Sequence, residues 1–283
     1  MVYAEIIIAV FSILLCALAA AVSLRRLTRA NGGADAGALM LTGSAAVLLS
    51  VLLAIRWARA GRFPAFGYFE VLSLYALTVL VSHLYVSLRY RMRGLSLILA
   101  PYATIVLLLA STGILHPLAS APEAGRFWII MHVCTAFLAY AFCTTAGVLG
   151  VAYLIQDHNL KHKRLVATFR MLPALEALDH RMARHIGAAF LMLSLAVACG
   201  VRLVHMRGDG MEWAADPKIV ATAVTWGIYA ILMHMRGGGC RHGRGMAVLT
   251  LVGLLFLLFS FLGIHLLAES AHDFILLGKS GLS

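Results

Sequence analysis

Eight stretches of nearly unbroken apolar sequence, separated by short polar segments, constrain this chain more than any other feature. They run over 3–24, 38–55, 68–88, 95–115, 129–154, 186–204, 219–235 and 246–267. A helix needs about 20 mostly apolar residues to cross the hydrocarbon of a bilayer. In hydrocarbon, an isolated segment satisfies its own backbone only as a helix. The spacing therefore predicts an all-α fold, a polytopic membrane helix bundle of about eight transmembrane helices. Composition agrees: 62% of the residues are hydrophobic and 12% charged, against roughly 45–50% and about 25% in soluble domains. The mean hydropathy is +0.91. The first run has no basic residue before it, and Arg25, Arg26 and Arg29 follow it. It therefore reads as a retained helix rather than a cleaved signal. Residues 1–283 read as a single integral membrane domain.

The positive residues set the expected orientation. They collect after the first, third, fifth and seventh runs: Arg25, Arg26 and Arg29; Arg89, Arg91 and Arg93; Lys161 to Arg184; and Arg236, Arg241 and Arg244. Positive loops stay cytoplasmic, so both termini are expected on the outer side. The segment 56–67 dissents, with Arg56, Arg59 and Arg62 and no acid. The net charge of +11, from 23 basic and 12 acidic residues, follows from this loop bias and calls for the lipid bilayer as partner, with no nucleic acid. The polar stretch 155–185 is expected to hold a short cytoplasmic helix, because Leu172, Leu175 and Leu178 recur at helical spacing.

Histidines are the candidate chemistry. Of the 12, His158, His162, His180, His185 and His242 read as part of solvated basic loops. His83, His116, His132, His205, His234, His265 and His272 lie inside spans or at their ends, where ionisable groups are costly and usually functional. By topology His132 and His272 fall on the outer face, and His234 and His83 towards the inner one. Neutral imidazole is a common axial ligand of haem iron. The five cysteines form no Cys-x-x-Cys pair, which argues against a cysteine metal site. Nor is there a Ser-His-Asp, paired-carboxylate or phosphate-loop pattern for a hydrolase or an ATPase. The outer segment 205–218 ends in Asp216-Pro217, which suits an N-cap followed by the first helical turn. Glu70, at the start of the third run, suits a helix N-terminus.

Together these pieces resemble the cytochrome c assembly family of membrane proteins (the CcsA, ResC and CcmC types). That family carries a segment of the form W-G-x-x-W-x-W-D-P-K-E-T-W, then T-W-x-x-Y-A-x-x-x-H-x-R. Here Gly210, Trp213, Asp216, Pro217 and Lys218 fit without a gap, and Thr225, Trp226, Tyr229, Ala230, His234 and Arg236 follow in register. Trp128, His132, Val133 and Ala139-Tyr140-Ala141 match its W-x-x-x-H-V…A-Y-A. Gly61, Pro64, Phe69 and Glu70 match the entry to the third helix, and Gly263, Leu266, Leu267 and His272 match the end of the eighth. The likeness spans residues 60–275.

The resemblance implies non-covalently bound haem b at the outer face of a bacterial inner membrane, with His132 and His272 on its iron. Trp213, Asp216, Trp226 and Glu70 would line the cofactor site, and Arg126 or Arg207 would pair with the propionates. His234 would mark an inner haem-iron site, which His83 could join. Function would be cytochrome c maturation, presenting haem for attachment to an apocytochrome c with a Cys-x-x-Cys-His motif, beside a membrane protein of the ResB or CcsB type. Such a complex would be a cytochrome c synthase. The chain departs from the pattern at Asp209, Ala215 and Ala221, where the family has tryptophans, and at Ile219 in place of glutamate. The alternative is therefore a non-catalytic regulatory or assembly protein of the HemX or YpjD kind. A transporter is disfavoured, because neither repeat symmetry nor Gly/Pro-broken helices are evident.

Overall fold

The computed structural model describes residues 2–28, 36–90, 95–115, 126–163, 172–207, 216–237 and 243–263. Among them the chain forms eight α-helices: α1 Val2–Thr28, α2 Ala36–Ala60, α3 Tyr68–Tyr90, α4 Ser96–Ser111, α5 Arg126–Lys161, α6 Leu175–Arg207, α7 Pro217–Gly237 and α8 Gly243–Leu258. A π-helical turn, Phe259–Gly263, closes α8. Seven of these helices are long and apolar enough to cross a membrane, and the protein is an integral membrane protein. The fourth apolar run differs from expectation. It gives a helix of only 16 residues, about 24 Å at ~1.5 Å per residue, and then a turn over 112–115. That is shorter than a hydrocarbon core of about 30 Å.

The ends of α5 and α6 also differ. α5 has 36 residues and α6 has 33, so they reach about 54 and 50 Å, well beyond a bilayer core. The helical spacing of Leu175 and Leu178 is real. It belongs to the first turns of α6, however, and no separate short helix stands among the described residues of 155–185. α5 ends at Lys161, and Lys163, two residues beyond, has a left-handed φ of 52°. The Lys163 N–H there bonds Leu160 O at 3.2 Å, the sort of C-terminal cap that ends a helix.

The chain divides into two compact units, residues 1–118 with 152–178, and residues 119–151 with 179–283. In the first, α1 packs on α2 and α4, and α3 on α2 and α4. α4 buries Ser96, Leu99, Ala100, Ala103, Val106, Leu107 and Ala110, a stripe at three- and four-residue spacing. Most of these residues are small, and in lipid small side chains let helix backbones approach closely. Gly61, with φ of +63°, ends α2, and its N–H bonds Trp57 O at 2.9 Å.

In the second unit α5 packs on α8 past its own midpoint. A Cβ at Gly150 would sit 3.2 Å from Ala247 O, and one at Gly147 would sit 2.5 Å from Leu254 Cδ2. α7 packs on α8, where a Cβ on Gly253 would meet Tyr229 at 3.0 Å. Phe137 and Tyr140 of α5 meet Phe261 of the π turn edge-on, with centroids 6.1 and 5.2 Å apart. Hydroxyls within the spans bond the carbonyl one turn back, as Thr42 does to Ala38 O at 3.0 Å and Thr250 to Met246 O at 2.7 Å. That pattern satisfies a polar side chain without water.

Candidate functional site

His132 lies two turns into α5, and its ring reaches across to α6. Nδ1 is 2.8 Å from Ala196 O. A carbonyl only accepts, so Nδ1 carries the proton and the neutral ring has its lone pair on Nε2. A metal-ligating histidine is usually fixed in this way, its other nitrogen donating to a carbonyl that sets tautomer and orientation. The ring has room because residue 200 is glycine. A Cβ there would lie 3.2 Å from Cε1 and 3.3 Å from Nδ1. Ala196 and Gly200 are one turn apart, so the imidazole lies along a single turn of α6. Lys218, buried at the start of α7, is close enough for its charge to act on the ring.

Asp216 caps α7. Its Oδ1 accepts the N–H of Lys218 at 2.8 Å and of Ile219 at 3.4 Å, while its carbonyl takes Val220 N–H at 3.0 Å. With Pro217 at the first helical position, the cap agrees with the sequence expectation. Trp226, ten residues on, donates from Nε1 to Ser194 Oγ at 3.0 Å and lies against Phe190 with centroids 5.5 Å apart.

These contacts separate Trp226 from His132. Ser194 and Ala196 differ by two residues, about 200° around the helix, so α7 and α5 pack on different sides of α6. Other contacts repeat the division. On the α7 side a Cβ at Gly187 would meet Arg236 and Met233, and Arg236 bonds Ala183 O. On the α5 side the His185 ring meets Phe142 at 6.0 Å. His185 is buried within α6, with Nδ1 donating to Arg181 O at 2.8 Å. The expectation that it belongs to a solvated loop is corrected by the length of that helix.

His234 is exposed in the last turns of α7. It lies 16 residues beyond Lys218, about 24 Å along the helix, so the second unit keeps His132 and His234 at opposite levels. In the first unit His83 is fully buried, with Nδ1 3.3 Å from Ser87 Oγ and Nε2 3.2 Å from Ser96 Oγ. Both its nitrogens are taken up by hydroxyls. Glu70 is buried as well, and its Oε2 accepts Gly67 N–H at 3.2 Å, Phe66 N–H at 3.4 Å and Arg62 Nη1 at 3.1 Å. It sits at the third position of α3 and reaches back to the chain before it, as the glutamate of a capping box does. Trp213, Asp209, Gly210, Ala215, His116, His242, His265 and His272 lie outside the described residues.

The family model described as cytochrome C assembly protein matches residues 65–272. The chain belongs to the cytochrome c assembly protein family. It is similar to the cytochrome c biogenesis protein CcsA of Chlamydomonas reinhardtii, with 26% identity over 244 residues that cover 83% of this chain and 67% of that one. The CcsA of Synechococcus sp. strain CC9902 is 26% identical over 260 residues, covering 83% and 85%. That of Pyropia yezoensis is 24% identical over 282 residues, covering 86% and 88%. The family match begins after α2 and runs through every helix from α3 to α8. His132, His234, Asp216, Trp226, Glu70 and His83 all fall within it.

Ala196, Gly200 and Ser194, which fix His132 and Trp226, were missed by sequence reasoning. Ser194 is 32 residues from Trp226, and Ala196 and Gly200 are 64 and 68 residues from His132; each sits unmarked in an apolar run. The one available signal was a glycine inside a span, where a close approach by a neighbour is a common reason.

Proposed function

We propose that this protein handles haem in cytochrome c biogenesis, holding haem b at the outer membrane face through His132 and His272. The observation that carries the reading is the His132 geometry: a ring seated against Gly200 with its Nδ1–H on Ala196 O, so that Nε2 is the nitrogen suited to iron. His132 binds and orients, and α6 holds the imidazole plane. Asp216 fixes the start of α7. His234, exposed at the other end of α7, is the ligand for an inner site. Haem supplies the reactive edge, and the thiols of an apocytochrome c Cys-x-x-Cys-His motif supply the nucleophiles. A ResB- or CcsB-type membrane protein completes the machinery. Both termini, and the start of α5, lie on the outer side in this reading.

The second reading, a regulatory or assembly protein of the same family, is favoured by one observation. Ala221, where the family has tryptophan, is buried in α7 as a small packing residue, so that position offers no stacking face. The experiment separating the two is the absorption spectrum of the protein purified in detergent from a haem-replete host. A six-coordinate low-spin haem, changed by both His132→Ala and His272→Ala, is expected. A folded, abundant and colourless protein would move the function to regulation.

A further inference from the structure

Where α1 and α3 begin and α2 ends, five ionisable side chains form one cluster. Glu5 of α1 accepts Arg56 at 3.1 Å on one oxygen and Arg59 on the other. Glu70 of α3 pairs with Arg62 at 3.1 Å, and its second oxygen is 3.5 Å from Arg56 Nε. The side chains of Glu5, Arg56, Arg62 and Glu70 are 3%, 5%, 7% and 1% exposed. Three guanidiniums against two carboxylates leave +1. Arg62 Nη2 is buried with no hydrogen-bond acceptor, whereas Arg56 Nε faces Glu70 Oε1, a buried oxygen with no donor of its own. The Phe66 and Phe69 rings lie 5.1 and 4.8 Å from the two guanidinium carbons. Those rings cover the faces of the cations and accept nothing from their N–H edges.

A buried cation left with an open N–H is unfavourable unless something anionic completes it. The cluster reaches the surface at Arg59, whose side chain is 31% exposed. Its depth is marked by aromatics. Trp57 and Tyr3, on the same ends of α2 and α1, are 52% and 81% exposed, as befits the interfacial belt where Trp and Tyr meet lipid headgroups. Guanidinium forks match phosphate oxygens, and a phosphate at this level has lipid as its nearest source. We propose that the cluster is a binding site for an anionic phosphate group, with Arg62 Nη2 and Arg59 as its donors. Glu5, Arg56, Arg59 and Arg62 all precede the family match, which starts at residue 65, and the site requires no haem.

The test uses the full chain in detergent, stripped of lipid and then offered phosphatidylglycerol, phosphatidylcholine or inorganic phosphate. Native mass spectrometry reads retention, and thermal unfolding reads stabilisation. Phosphatidylglycerol is expected to stay bound one to one and to raise the melting temperature of the parent protein. Arg62→Gln, which neutralises the cluster and removes the open donor, is expected to weaken retention by about tenfold or more. Arg59→Gln, at the exposed edge, gives the same comparison should Arg62→Gln fold poorly, and exposed Arg184→Gln on α6 should change nothing. Inorganic phosphate acting as well as the lipid keeps the site and assigns it to free phosphate. Phosphatidylcholine retained as tightly as phosphatidylglycerol keeps the phosphate and removes the need for net lipid charge. Equal lipid retention by parent, Arg62→Gln and Arg59→Gln, or none by any of them, overturns the proposal.

Discussion

Substituting Gly200 tests the seat of His132 without touching the histidine. A Cβ at residue 200 would stand 3.2 Å from Cε1 and 3.3 Å from Nδ1 of the ring, a few tenths of an ångström inside ordinary contact. In Gly200→Ala the ring shifts by that amount. The Nδ1–H bond to Ala196 O, now 2.8 Å, stays inside the range of about 2.7–3.2 Å for such bonds. Haem affinity should then change by no more than about threefold, because the bond is kept. Gly200→Val adds two γ-carbons that reach into the ring and break the bond. Losing the partner that orients a ligating histidine typically reduces metal affinity by about 10–100-fold, so the graded pair should separate clearly. The assay is titration of the apoprotein with haem, followed at the low-spin absorption band, with thermal unfolding run alongside to show that α6 is intact. If Gly200→Val binds haem as the parent does while His132→Ala does not, the ring needs no anchoring and the tautomer argument is refuted.

Three other substitutions follow from the same geometry. Glu70→Gln leaves Arg62 and Arg56 facing an uncharged partner in a buried cluster. Unfolding should be easier by about 3–5 kcal/mol, the usual penalty for removing one member of a buried ion pair, and a melting curve within a degree of the parent would contradict it. Asp216→Ala removes the α7 cap, worth about 0.5–2 kcal/mol, and Asp216→Ser should restore most of the loss in the same thermal assay. His83→Ala breaks both serine contacts; it should lower the melting temperature and leave the haem spectrum unchanged, and a lost haem band would put His83 among the ligands.

The spans were legible in the sequence because hydrocarbon demands some twenty apolar residues of any crossing segment, whatever it packs against. The start of α7 was legible for a local reason: Asp216 and Pro217 cap and begin a helix through their own backbone. Non-local pairing was not legible. Arg56, Arg59 and Arg62 made 56–67 look like a cytoplasmic loop, because Glu5 and Glu70 stand outside that segment and reach it only once α1, α2 and α3 are packed. Glu5 and Glu70 pair with these arginines. His185 was misjudged for a related reason. Basic neighbours made it look solvated, yet α6 continues through it and turns its ring onto Phe142.

If haem sits on His132 as proposed, the packing of α6 bears on which described aromatic covers it. Trp226 is held by Ser194 and Phe190 on the α7 side, about 200° around α6 from Ala196. Trp128, by contrast, precedes His132 by four residues on α5, and side chains at that spacing are neighbours on one helix face. It is half-buried and meets Phe127 edge-on at 5.5 Å. With Asp209, Ala215 and Ala221 standing where the family has tryptophans, Trp128 is the described indole best placed to cover a flat ligand on His132. An aromatic stacking contact is worth about 0.5–1.5 kcal/mol beyond its buried area. Trp128→Leu should therefore weaken haem binding by roughly 3–10-fold on that term, while Trp226→Leu should leave the affinity at His132 unchanged. The reverse order of effects would place the ligand on the α7 side of α6, and with it would go the assignment of His132 as the iron ligand.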